Sequence, residues 1–322
     1  MKALNDLILE TSGLIGQPIN TQLPVAVEIS AIADVLPLAK PGELVYKFSA
    51  LDTTADTIVD INSNGTITVK KRSPVGYTLL EFKTLESQLE HVYIEDILNS
   101  VDTDVFARRN ASITRGMDKR ELKILIDGIF ANDDLYPESG SDSNAITPES
   151  GDDIYDLIMD MKESIEDYGD RYVFLVGSSV KSAIDRYKKA KSTTQNYDVD
   201  LLGDLAKMGF EIVKVFGKVA DDTSTETEDA VMNANKAILI ARDSTIAEGK
   251  PIKMVRRQIS ADIASLMGAN VDNAQRAIIV NPTPVIDSGS NKRAIGVYGM
   301  ESFIFALTNP KAIATADFTS LI

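Results

Sequence analysis

Cysteine and tryptophan are absent from this 322-residue chain, and histidine occurs once. The missing cysteines exclude disulfides, thiolate metal ligands and cysteine nucleophiles. The lone histidine, His91 in Leu89-Glu90-His91-Val92, has no second imidazole to pair with at a zinc ion and no flanking serine elbow. It reads as an ordinary packed or surface residue. No apolar run approaches the roughly 18 to 20 residues that span a bilayer. Met1 to Leu14 lacks a basic stretch followed by an apolar one and a small-residue cleavage site, so neither membrane insertion nor secretion is expected. Positive charge is also scarce: 33 Lys and Arg face 48 Asp and Glu, a net charge of −15. A sequence-reading nucleic-acid binder needs a basic face to neutralise phosphates, and this balance argues against one.

An apolar fraction of 44% over 322 residues supports one large or two modest folded domains. The charge is uneven. Between Asn132 and Asp170 there are thirteen acidic residues and one lysine, Lys162. Such a run is a solvated acidic face, or a surface kept from polyanions and sister subunits.

Along the chain, Leu4, Leu7 and Ile8 suit a short amphipathic helix. Pro18, Pro24, Pro37 and Pro41 then break the segment to residue 41 into a mostly irregular arm with little core of its own, expected to lie on something else. Leu44 to Ile61 and Thr66 to Phe82 are strand-like runs around Asn62-Ser63-Asn64-Gly65, where Asn-Gly supplies the positive φ angles of a tight hairpin. Arms of about 16 residues would reach on the order of 50 Å. A two-stranded ribbon that long is marginal in water unless it packs on a partner, so packing on another subunit is expected. Thr103 to Ala131 has no proline and places Ile113, Met117, Leu122, Leu125, Ile126 and Ile129 mostly three or four residues apart, which predicts one long helix. Its first half is basic (Arg108, Arg109, Arg115, Lys119, Arg120), so that half is expected outside the core. It is a solvated face, or a seam to a neighbour's acidic surface.

After a Gly, Ser and Asp-rich loop, Ser150 reads as the N-cap of a helix carrying Ile154, Leu157, Ile158, Met161 and Ile165, closed by Gly169. Tyr172 to Val176 is a buried-type strand, followed by a helix from Gly177-Ser178-Ser179. A short helix follows at Leu201 to Met208, and strands at Phe210 to Phe216 and Lys236 to Ala241. Four strand-like stretches complete the chain, at 252–259, 276–280, 294–298 and 302–307.

Two fragments resemble functional motifs and fail. Asp60 to Ile67 matches the first eight positions of a calcium loop, but the twelfth, where a bidentate glutamate belongs, is Lys71. Gly177-Ser178-Ser179-Val180-Lys181 begins like a phosphate cradle or nucleophile elbow, yet no second glycine and no Gly-Lys-Ser follow. No catalytic residue, cofactor or metal site is expected. An enzyme working through carboxylates is the remaining catalytic alternative.

Taken in order, these parts resemble the major capsid proteins of tailed bacteriophages, the Hong Kong 97 fold. The matching stretches are Tyr172 to Lys188 through Phe210 to Phe216, and Gly296-Val297-Tyr298-Gly299-Met300-Glu301 on to Asn309-Pro310-Lys311-Ala312-Ile313. The resemblance implies an α+β protein with an N-terminal arm (1–40), an extended hairpin or E-loop (41–84), a peripheral domain (85–149 and 246–322) holding a spine helix at 103–131, and an α/β axial domain (150–245). It implies self-assembly into pentamers and hexamers of an icosahedral shell around double-stranded DNA, bound without sequence preference. Portal and scaffolding proteins would be further partners, and the site of assembly the host bacterial cytoplasm. An encapsulin-like compartment shares the fold and stays open as an alternative. The candidate assembly contacts are Asn62, Asn64, Gly65, Lys70 and Lys71 near the hairpin tip, and Arg108, Arg109 and Arg115 on the helix.

Overall fold

The computed structural model describes residues 28–49, 77–86, 90–95, 105–131, 144–187, 200–220, 228–243, 249–258, 276–280, 285–286, 289 and 291–322. In chain order its elements are α1 (Ile29–Ile32), β1 (Asp34–Val35), the ribbon strands β2 (Val45–Ser49) and β3 (Tyr77–Glu81), β4 (Lys83–Glu86), β5 (Glu90–Tyr93) and the long helix α2 (Val105–Ala131). Then come β6 (Asn144–Ile146), α3 (Ile154–Glu163), β7 (Arg171–Val176), α4 (Ser178–Arg186), α5 (Leu201–Lys207), β8 (Phe210–Lys214), β9 (Lys218–Ala220), β10 (Glu228–Ala230) and β11 (Lys236–Arg242). The remainder is β12 (Ile252–Arg256), β13 (Arg276–Val280), β14 (Val285–Ile286), β15 (Arg293–Leu307) and β16 (Ile313–Asp317).

Two sheets carry the molecule. The first is five-stranded, in the order β6-β16-β11-β7-β8, with β7 parallel to β8 and antiparallel to β11. Its strands read as near-continuous apolar runs (Tyr172 to Val176, Ala237 to Ala241) because both faces are covered. Phe174, Val176, Leu239 and Ala314 point toward α3, α4 and α5, where Leu157, Ile158, Met161, Val180, Ile184 and Leu205 meet them. Val173, Leu175, Ile238, Ile240 and Ile313 point the other way, toward Leu122, Leu125, Ile126 and Ile129 of α2.

That same stripe of α2 also packs on the second, seven-stranded sheet, through Ile252, Met254, Phe303, Phe305 and Leu307. The 15-residue β15 is its backbone, pairing with β12, β13 and β14 on one flank and with β4 and β5 on the other. The opposite face carries a third cluster, in which Val255, Ile304 and Ala306 meet Phe48, Tyr46, Leu80 and Phe82 at the root of the β2–β3 ribbon. One helix therefore lies between two sheets, and one ribbon lies on the outer face of the second.

Several expectations are revised. The stretches at 294–298 and 302–307 are one strand, because Met300 and Glu301 pair on both flanks, with Ala277 and Arg276 on one side and Glu86 and Leu85 on the other. The helix expected to start from a Ser150 N-cap starts at Asp153, whose carboxylate accepts from Tyr155 N and Asp156 N while Asp156 caps back. Gly151, at φ +107°, turns the chain before that point. The arm is not wholly irregular: Ile29, Ile32 and Ala33 enter the main core, and Asp34 and Val35 add a parallel edge strand to β12. The last strand pairs across the division expected at residue 246, since β16 lies against β11 of the first sheet. Its apolar residues on both faces suit a strand covered by α2 on one side and by α3 to α5 on the other.

Candidate assembly surfaces

The root of the ribbon has a clear inside and outside. Its register is Val45↔Glu81, Tyr46↔Leu80, Lys47↔Leu79, Phe48↔Thr78 and Ser49↔Tyr77, and side chains alternate across it. Tyr46 and Phe48, with ring centroids 4.9 Å apart, face the sheet. Val45 and Leu79 face away at 43% and 55% exposure, beside Leu44 at 73%. The Phe82 amide donates to the Leu44 carbonyl (3.1 Å) and closes the ribbon at its base. The hairpin-tip residues Asn62, Asn64, Gly65, Lys70 and Lys71 lie outside the described residues.

The long helix behaves differently along its length. Leu122, Leu125, Ile126 and Ile129 are fully buried, while Arg115, Lys119 and Arg120 remain half-buried beside exposed Ala111 and Gly116. Ile113 and Met117 are buried too, so the basic half keeps one covered edge. Arg108 and Arg109 fall on this helix, and Arg115 is one turn beyond Ala111. The structure brings the three arginines onto one element, apart from the ribbon root.

The arm's root is fixed by an ion pair and hydrogen bonds. Asp34 stands directly opposite Lys253 in the ladder and pairs with its ammonium, and its carboxylate also accepts the Lys250 backbone amide at 3.1 Å. The Lys250 ammonium donates to the Ser30 carbonyl beneath α1. Burial holds the Lys250 pKa below the usual lysine range, partly offset by Asp34.

Residues that sequence reading did not single out hold these elements in place. Glu121, only 1% exposed, accepts a forked contact from Arg256, Nε to Oε1 at 3.2 Å and Nη2 to Oε2 at 2.8 Å. Arg257, the next residue, donates from Nη1 to the Glu43 carbonyl (3.0 Å) and from Nη2 to Ser302 Oγ (2.9 Å), and lies 5.4 Å from the Phe82 ring centroid. A glutamate interrupting an apolar helical stripe is a visible signal; its partner, 135 residues away, is not.

The motif-like fragment at Gly177 is a packing site. An added Cβ there would sit 2.3 Å from the Asn233 carbonyl oxygen. The amides of Ser179 and Val180, which a phosphate would need, already donate to the Ala234 carbonyl at 3.0 and 3.3 Å. Among the described residues no group of three or more His, Asp or Glu could hold a metal ion, and no helix is long and apolar enough to cross a membrane. His91 lies in β5, opposite Gly296.

No family model matches the chain, and no curated protein matches it in sequence. Solved structures do. The capsid of a native GTA particle superposes over 94% of this chain and 93% of its own, at 12% identity and a TM-score of 0.54. The mature capsid of bacteriophage PhiM1 does so over 95% and 91%, at 12% identity and a TM-score of 0.52. The capsid of cyanophage P-SCSP1u covers 94% and 90%, at 10% identity and a TM-score of 0.50. The chain has the Hong Kong 97-like capsid fold. The match covers nearly the whole chain rather than one part of it.

Proposed function

We propose that the chain is the major capsid protein of a phage-like particle, one that self-assembles into pentamers and hexamers of an icosahedral shell enclosing double-stranded DNA. The observation that carries this reading is the near-complete superposition on shell-forming proteins. The ribbon root supports it, because the root exposes Leu44, Val45 and Leu79 on a strand pair seated on the outer face of the second sheet. Function then resides in subunit contacts rather than in a catalytic centre. Such contacts are individually weak and become strong by repetition, since each bound neighbour raises the effective concentration of the next.

In this reading residues 1–40 are the arm, 41–84 the E-loop, 85–149 and most of 246–322 the peripheral domain, and 150–245 the axial domain, joined by β16. Asn62, Asn64, Gly65, Lys70, Lys71, Arg108, Arg109 and Arg115 are the candidate contacts with neighbouring subunits. Portal and scaffolding proteins are the further partners, assembly takes place in the host bacterial cytoplasm, and the packaged DNA is held without sequence preference behind a mostly acidic inner wall. Light scattering and negative-stain microscopy of the purified protein test the core of this. Rings or shells are expected. A compact monomer that persists even with scaffold supplied would overturn it, and particles that carry protein cargo and no nucleic acid would favour an enzyme compartment over a virion.

A further inference from the structure

Adjacent residues of an extended strand point to opposite faces, and the end of β12 uses this. Arg256 points to the face covered by α2, where its guanidinium grips the buried Glu121 carboxylate. Arg257 points to the other face, where it holds both strands of the ribbon root: the Glu43 carbonyl on the incoming side and the Phe82 ring on the outgoing side. The backbone at the same place is equally engaged. Ala39 N donates to the Arg256 carbonyl (3.0 Å), Gln258 N donates to the Ala39 carbonyl (2.9 Å), and Arg257 N donates to the Ser302 carbonyl (2.9 Å). Arm, ribbon, helix and β15 all meet at two consecutive residues.

We propose that Arg256 and Arg257 form a two-sided clamp whose role is to fix the ribbon and the long helix in one relative position, and so to set the geometry in which a subunit presents both to its neighbours. This rests on the capsid reading for its consequence, though not for the clamp itself. Apolar packing alone leaves the position loosely defined, because burial is non-directional, and a helix stripe shifted by one turn, 5.4 Å, would still bury leucines and isoleucines. A guanidinium fork on a carboxylate is directional. An ion pair whose carboxylate is buried is also a poor source of stability, since well-packed apolar residues of like volume often serve as well or better. Positioning is the role that such a pair fills and an apolar pair does not.

The full-length chain tests the clamp. In the double variant E121L/R256M, melting should stay within a few degrees of the parent while particles become heterogeneous in diameter. In R257M, amide exchange at residues 45–49 and 77–81 should quicken at least tenfold with residues 154–186 unchanged, and particle yield should fall at least tenfold. R257K keeps the charge and loses the fork; it should assemble as poorly as R257M, and it decides the matter if R257M does not fold. Folded variants that assemble with the parent's yield and diameter would overturn the clamp. Absence of particles from the parent would instead overturn the capsid reading, and ribbon exchange in R257M would still judge the clamp.

Discussion

At the scale of single residues, the most informative positions are those where backbone or charge has no slack. Gly177 abuts the carbonyls of Asn233 and Ala234, which belong to the turn leading into β11 and cannot yield as a flexible side chain would. Gly177→Ala should therefore destabilise the subunit by about 1–3 kcal/mol, the usual cost of overpacking, read as a lower urea midpoint at unchanged slope. Asp317 has the opposite character. It accepts from both the hydroxyl and the amide of Thr319, and these bonds hold its carboxyl below the usual aspartate range. A depressed folded pKa means that the contribution is complete above the ordinary value near 3.8 and fades as pH falls through the folded value. In Thr319→Val the hydroxyl bond is gone, so an NMR titration of Asp317 should move upward toward the ordinary value; an unmoved titration would show that Thr319 is not the cause.

At the scale of elements, α2 combines two tasks that its sequence already separates. Residues 122 to 129 fill the space between the sheets, and Ile126→Ala, which empties a fully buried position there, should cost about 2–5 kcal/mol in thermal or denaturant unfolding. The apolar spacing made both the helix and this core stripe readable in advance, because the 3.6-residue period is local information. The root of the ribbon was legible for the same reason: the strand-like runs that contain β2 and β3 need no tertiary context. By contrast, the length of β15 was not legible. Gly299 falls in the gap between the stretches at 294–298 and 302–307, whereas its pairing with Ile278 and the two-sided pairing of Met300 and Glu301 carry the strand through. Asp153 capping in place of Ser150 is a similar case, since both residues can cap and only the turn at Gly151 selects between them.

At the scale of the whole molecule, the apolar face of α2 joins two sheets, and the exposed ribbon-root residues Leu44, Val45 and Leu79 are not part of that joint. Removing the hairpin tip, residues 60–71, should accordingly leave a folded, soluble subunit with near-parental melting that fails to make stable shells. Complete assembly of that deletion, seen by negative stain, would contradict the role given to the ribbon. What the sequence determined by itself was the kind and order of the main helices and strands, the scarcity of residues for metal or nucleophilic chemistry, and the acidic bias, all of which follow from composition and short-range periodicity. Only the tertiary structure decided that the final strand joins β11, that the arm's root enters the core, and that Glu121 meets Arg256. Those contacts join residues far apart in the chain, and their energies arise from burial and direction in space rather than from any local pattern.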